Sequence, residues 1–593
     1  MMAQPSPTLL LDGARARSLA GLHRHTGLRG RLAARIVAEA TAMAALPLPV
    51  RRMEGRRLLG MARMVLRRVL TAGMAWMVTG EAGRRDLALA TMRAAADFTD
   101  WNPDHFLDTA ELTTALAIGL DWFNEALPEA DRLRLRAAIR THGLLPGDAG
   151  GWWVDAHHNW NQVCHGGLIL GALATYEDDP ALAERLMARA RAMIPIALAV
   201  YAPDGAYPEG PSYWSYGTSY SVLTAAALRS TGRDAGLITD APGFLASARY
   251  AMHTVGSSGQ RFTYGDGHPG ADDEPEAILG WFAGILGEPA LMLREWEVIA
   301  RFLDTPVRPD GNDLRFLPLA LLWAGDPPAA TGPIRPARSW RGDGPSAVVL
   351  HRSGWDRDAT WVGVKAGSAG VNHGHMDAGS LCVDAFGQRW VTDLGMDDYG
   401  RLEAAGLPLW EGGEGGGRWT ILRHHARAHA TITVDGQGHR VAGHAPVLAA
   451  CMDGDEQTAL VDLGPVLGSQ AERAIRGVRL TSEAGIVVRD EIRAPAGRVL
   501  RSAVVTPAEP EPIGPALIAL RQGGVTMWLR LDAPTGAEWR ILPLEPDRPE
   551  ESPNPGIRLL AAEIIADGTD QVIQWSLHRQ SPGPRREEPL ADW

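Results

Sequence analysis

The sequence predicts a multidomain α+β chain, with stacked helical hairpins in its N-terminal part and an antiparallel β-sandwich in its C-terminal part. Three observations lead there. Up to about residue 330, apolar residues recur at three- and four-residue spacing. From about residue 340 the period drops to two. The 593 residues also exceed what one hydrophobic core ordinarily holds. The expected domains are 1–335 and 336–593.

In chain order, helices are expected over Gly30–Ala45, Arg56–Thr79, Arg84–Thr99, Thr109–Ala126, Glu129–Thr141, Gly166–Tyr176 and Ala181–Tyr201, where Leu, Ala, Met or Trp hold the helical spacing. Gly and Pro punctuate the joins, as in LPLPV, LLPGDAGG, APDGAYPEGP and GDGHPG. Helices in succession without strands between them imply a solenoid or a closed α/α toroid. Short β-branched runs follow, among them SAVVLHRS, ATWVGVKAG, SLCVDAF, QRWVTDL, HATITVDG and GIVVRDEI. With no helices between them, they read as an antiparallel sandwich. The run EGGEGGGR (Glu411–Arg418) interrupts them and is expected to be a flexible loop or lid.

Composition removes several classes of function. Hydrophobic content of 45% and charged content of 22% are those of a globular protein, and no apolar run is long enough for a membrane span. A formal charge of −12 argues against nucleic acid as a partner. Cys164, Cys382 and Cys451 form neither a disulfide framework nor a metal-binding pair pattern. With no basic-then-apolar leader in MMAQPSPTLLLDGARARSLAG, they lead to an expected cytoplasmic location, or a periplasmic one if a leader has been trimmed. Lys365 is the only lysine. A homodimer is left open.

Three clusters concentrate chemistry. In WWVDAHHNWNQVCHGG (Trp152–Gly167), His157, His158, Asn159 and Asn161 precede an apolar helix. One reading is an Asn cap with aromatic packing. The other is a sugar site, where indoles such as Trp153 stack on rings and amides bind hydroxyls or carboxylates. In YAPDGAYPEGPSYWSYGTSY (Tyr201–Tyr220), Glu209 lies in a loop among five tyrosines. Most of these would be buried at the start of a helix, and one is placed to be catalytic. In VNHGHMDAGSLCVDAFGQRWVTDLG, an extended backbone would put His373, His375 and Asp377 on one face. His429 begins a later strand. A hairpin at Phe386–Gly387 returns Asp393 toward this region, although not directly opposite His375. Such a His/Asp/His set suits a divalent metal.

These clusters, in this order, resemble the heparinase II/III-like polysaccharide lyases. The resemblance is carried by NWNQVCHGGLILGALA (159–174), APDGAYPEGPSYWSYGT (202–218), NHGHMDAGSLCVDAFGQRWVTDLGMDDY (372–399) and HATITVDG (429–436). It implies an N-terminal (α/α) toroid followed by an antiparallel β-sandwich. It also implies β-elimination on a uronic-acid glycan such as heparan sulfate, hyaluronan, chondroitin or alginate. An anionic polysaccharide or oligosaccharide is then the expected partner.

By the same resemblance, His158, Tyr213 and His373 are the expected catalytic residues, with Tyr216 as the rival to Tyr213. His375, Asp393 and His429 are the expected ligands of a structural divalent ion, zinc first, with manganese or calcium as alternatives. Asn159 or Asn161, with His158 and with help from Arg418 or Arg423, is expected to hold the substrate carboxylate. Trp153, Glu209, Tyr216 and Tyr399 complete the expected substrate contacts. The chain departs from many relatives in having His158 where they have Asn, and Ala430 where they have Asn. His157, His158 and Asn159 therefore all stand as candidates to face the carboxylate. His373 is expected to take a proton from the sugar face opposite to Tyr213. A uronyl C5-epimerase, a glycoside hydrolase built on two carboxylates and a non-catalytic glycan-binding protein are the rival readings.

Overall fold

A computed structural model describes residues 8–270, 274–311, 314–327, 336–580 and 588–593. The chain divides into two compact units: Met1–Val200, Ser215–Ala248 and Asp273–Arg335 form the first, and Tyr201–Trp214, Arg249–Asp272 and Pro336–Trp593 the second. None of the described helices is long and apolar enough to cross a membrane.

The first unit is helical. Its long helices include Leu28–Met43, Leu59–Thr79, Ala82–Ala96, Phe106–Trp122, Asn159–Ala174 and Pro180–Leu198. Local chemistry sets their ends. Asp179 caps the last of these by accepting from Leu182 N–H, with Pro180 in the first turn. Gly80, at φ +72°, ends Leu59–Thr79 in the left-handed conformation that glycine adopts most easily. Phe106–Trp122 is buried all round, and Thr113 and Thr114 return their hydroxyls to carbonyls one turn back at 2.7 and 2.8 Å. It is crossed closely by Asn159–Ala174. A Cβ on Gly167 would lie 2.6 Å from the Ala110 carbonyl oxygen, so that crossing requires glycine.

The helix expected from Gly166 starts at Asn159 instead, with His158 at its N-cap position and no side-chain cap bond. Asn propensity suggested a cap ahead of the helix, but burial wins: Asn161 is fully buried and donates Nδ2 to the carbonyls of Val154 and Met193 at 2.9 and 3.1 Å.

The second unit is built of antiparallel sheets. Strands β1 (Ser339–Gly342), β2 (Val348–Arg352), β3 (Trp361–Lys365), β4 (Leu381–Ala385) and β5 (Gln388–Val391) form a meander in sequence order. Two further sheets have eight and four strands. One apolar core joins residues of all three, including Val383, Val488 and Leu560. The β4–β5 turn is Phe386–Gly387, with φ of 52° and 68°, the positive pair that a tight two-residue hairpin needs. N-terminal helices followed by antiparallel sheets are thus the observed architecture.

Residues 373–377 are not extended, and His373, His375 and Asp377 do not share a strand face. They lie in turns ahead of β4, with His373 at φ +58°. Gly374 lets the loop fold back on itself: a Cβ there would sit 2.4 Å from the Ala369 carbonyl oxygen. The alternation of His, Gly, His, Met and Asp imitates a strand but serves a loop. His429 likewise precedes its strand, which runs Ile432–Val434.

Candidate active site and metal centre

Asp266 organises the second unit's cluster. The carboxylate is fully buried and receives His373 Nδ1 at 2.9 Å, His375 Nε2 at 2.8 Å and an Arg418 guanidinium nitrogen at 2.7 Å, with His424 Nε2 at 3.4 Å. Burial alone would push its pKa up. The hydrogen bonds from the three imidazoles and the Arg418 charge outweigh burial and hold it well below the ordinary carboxylate range. An ionised Asp266 accepts only, so His373 carries its proton on Nδ1, and in the neutral ring Nε2 holds the lone pair.

Tyr213 stacks on this imidazole, with ring centroids 4.2 Å apart and planes at 15°. Its hydroxyl meets that of Tyr399 at 2.9 Å, and the Tyr399 hydroxyl lies 3.1 Å from His373 Nδ1. Burial, then the charge of Asp266, push the Tyr213 phenol's pKa up, which favours the neutral phenol. A phenol and an imidazole in face-to-face contact could act on a sugar from one side. The expected abstraction by His373 from the face opposite to Tyr213 does not describe this arrangement.

Glu209 completes the cluster from the same segment as Tyr213. It is 2% exposed, accepts from Asn372 Nδ2 at 2.7 Å and Tyr207 hydroxyl at 3.2 Å, and lies 3.7 Å from His373 Nε2. Burial raises its pKa.

Behind this cluster lies a possible metal centre. His375, Asp393 and His429 are all buried and offer ligand atoms within 4.8 Å of one another; Asp266, His375 and His424 form a second such group. In the first group, His375 Nδ1 and His429 Nε2 are buried without a hydrogen-bond partner, as nitrogens kept for a cation would be. His429 turns its other nitrogen to Asp393 at 2.6 Å. These residues therefore fit a divalent ion. The one lysine lies close by, paired through Lys365 Nζ to Asp377 at 2.6 Å, so Asp377 is committed to that pair. Dialysis against a chelator is expected to lower the melting temperature by several degrees and release about one equivalent of metal, since a buried ligand set left without its ion keeps its desolvation cost. Calorimetry with elemental analysis reads both, and unchanged values would remove the ion from the structure.

The remaining candidates divide between the units. Arg418 is 4% exposed and spends its donors on Asp266 and on the carbonyls of Gly374 and Leu409. Arg423 binds the carbonyls of Leu394 and Met396 and the side chain of Asn554. Both arginines fasten loops.

In the helical unit, Trp153 is 2% exposed and stacks on Phe106 at 4.6 Å, whereas its neighbour Trp152 is 59% exposed and lies 4.5 Å from Trp160. The indole facing solvent is thus Trp152. His158 lies 6.0 Å from Trp152, and Asn159 is buried. Tyr216 donates to Glu111 at 3.2 Å and lies under the guanidinium groups of Arg63 and Arg315, at 4.8 and 5.3 Å. It therefore belongs to a buried ionic cluster.

Sequence reasoning missed Asp266, Asn372 and His424. Asp266 lay in GDGHPG, read only as a turn; an acidic residue between two glycines was the available signal.

Residues 343–504 match the family described as heparinase II/III-like, C-terminal. No curated protein matches by sequence. Among solved structures, the chain is similar to a heparinase III, with 11% identity over 86% of this chain and 76% of that one and a TM-score of 0.59. It is also similar to the heparan sulfate lyase HepC from Pedobacter heparinus, with 12% identity over 92% of this chain and 79% of that one and a TM-score of 0.57. At these identities the likeness shows the fold.

Proposed function

We propose, from the match of residues 343–504 to the heparinase II/III-like C-terminal family model, that the chain is a polysaccharide lyase cleaving uronic-acid glycans by β-elimination. The observation that carries this reading is the stacked Tyr213–His373 pair with Asp266 behind it. Elimination needs a base for the proton α to the carboxylate and an acid for the departing oxygen. His373 Nε2 takes the C5 proton, the C4–C5 double bond forms, and the C4–O4 bond breaks. The Tyr213 phenol, kept neutral by burial and by Asp266, donates its proton to O4.

A pair acting from one side favours syn elimination. In D-glucuronate and D-mannuronate, C5–H and C4–O4 point to the same ring face, so these are the favoured substrates over their C5 epimers. A divalent ion held by His375, Asp393 and His429, zinc in the first place, would fasten the loop that presents His373 and supply no chemistry to the substrate.

The test is ultraviolet absorbance of the unsaturated product. Heparan sulfate, hyaluronan, chondroitin and alginate are compared with an iduronate-rich chain. Absorbance is expected with glucuronate or mannuronate chains, and a Tyr213→Phe variant is expected to lose roughly 10²–10⁴-fold in kcat. An active Tyr213→Phe, or no absorbance from any uronate chain, would sink the reading. Loss of C5 tritium label without absorbance would point to the epimerase instead.

A further inference from the structure

We propose that Trp410 is the sugar-stacking wall of this site, a substrate-binding residue for the pyranose held beside His373. The inference rests on the lyase reading and adds a residue that the sequence motifs do not carry.

Trp152 and Trp410 are the two exposed tryptophans among the described residues, and Trp410 is 52% exposed. An exposed indole gives up the burial that normally stabilises this side chain, so its position calls for a partner. Trp410 stands nearly perpendicular to two members of the cluster. Its ring centroid is 5.9 Å from His373 at 77° and 5.1 Å from Tyr399 at 72°.

The setting is built. Helix Tyr399–Ala404 and the segment after it pack Leu402, Leu409 and Ile421 into a small core of their own. The indole Nε1 donates to Glu403 at 3.1 Å, which fixes the ring's rotation. Arg418 binds the Leu409 carbonyl, one residue before Trp410, at 3.2 Å, and binds Asp266 through its other nitrogen at 2.7 Å. The wall and the imidazole are thus tied to the same side chain. The glycine run is no open lid: Gly416 N–H donates to the Gly413 carbonyl at 2.9 Å, and Trp419 Nε1 donates to that carbonyl at 2.8 Å.

The angle between the planes gives the wall its chemical sense. A pyranose stacked on the indole directs its axial C–H bonds along the indole normal. Because the two planes meet at 77°, that normal lies close to the plane of the imidazole. The lone pair of Nε2 lies in that plane too. Stacking on Trp410 therefore brings the axial C–H bonds close to the imidazole plane in which the Nε2 lone pair lies.

Trp410→Ala and Trp410→Phe test this, each checked for an unchanged melting temperature. Trp410→Ala is expected to raise KM about tenfold while kcat stays within about threefold, and Trp410→Phe to recover most of the loss. In parallel, oligosaccharides of an unsulfated glucuronate–N-acetylglucosamine chain are titrated against intrinsic fluorescence. The wild type is expected to show a quench that Trp410→Phe lacks, with no quench by a neutral glucan. A Trp410→Ala variant that folds and keeps its KM, or a quench unchanged in Trp410→Phe, overturns the proposal. If no chain is cleaved, the lyase reading fails while the fluorescence comparison still decides for or against the wall.

Discussion

His373→Ala is expected to lose roughly 10³-fold in kcat for elimination while remaining folded. The magnitude is that of a positioned general base. The small structural effect follows from the surroundings. His373 gives Asp266 one hydrogen bond, but Asp266 keeps His375, His424 and Arg418, so its charge is not abandoned. Loss of one such bond costs about 1–2 kcal/mol. His373→Gln should be equally inactive, since an amide nitrogen has no lone pair to accept a proton, and added imidazole should restore part of the rate in His373→Ala alone. Progress curves at the product absorbance, with melting temperatures alongside, check this. A His373→Ala variant of near wild-type kcat would move the base elsewhere.

The largest effect on stability is expected at Arg476. This guanidinium is fully buried among the sheets. It pairs with Asp490 on the neighbouring strand through two bonds of 2.7 and 2.8 Å, and it binds the carbonyls of Gly379 and Ala430 at 2.8 and 2.7 Å and Ser502 at 3.1 Å. Those carbonyls belong to the loops that present His375 and His429. Arg476→Met keeps the volume but strands the Asp490 carboxylate and two carbonyls without donors. The loss should be about 3–5 kcal/mol, the usual cost of breaking a buried pair from one side. Arg476→Met with Asp490→Leu should recover part of it, because the stranded charge is then gone. Urea unfolding measures both. A single variant within about 1 kcal/mol of wild type would mean that water reaches the site.

How far the sequence could be read differs by feature, and each difference has a physical cause. Helices such as Leu59–Thr79 and the hairpin at Phe386–Gly387 were legible because spacing and turn chemistry act within a few residues. Helix starts were less so: Asn161 suggests a cap, yet lies inside the helix, buried and bonded to the carbonyls of Val154 and Met193, which outweighs a local preference. The loop at His373 misled for a related reason. Period two is shared by strands and by turns in which every second residue is glycine or methionine, and only a backbone doubling back on Ala369 distinguishes them.

The sequence by itself determined the two-part architecture and the residues from which a site could be made, Tyr213, His373, His375, Asp393 and His429 among them. Periodicity and residue type are written into short stretches. The tertiary structure decided what those residues do to one another. Asp266 lies 107 positions from His373, and Glu209 lies 163 positions from Asn372, yet each pair is in hydrogen-bond contact. Burial of Asp266 among three imidazoles and a guanidinium fixes the His373 tautomer, and the Tyr213 ring stacks on that imidazole at 4.2 Å. Such effects arise from desolvation and from charges brought close in space, quantities that no local stretch of sequence contains.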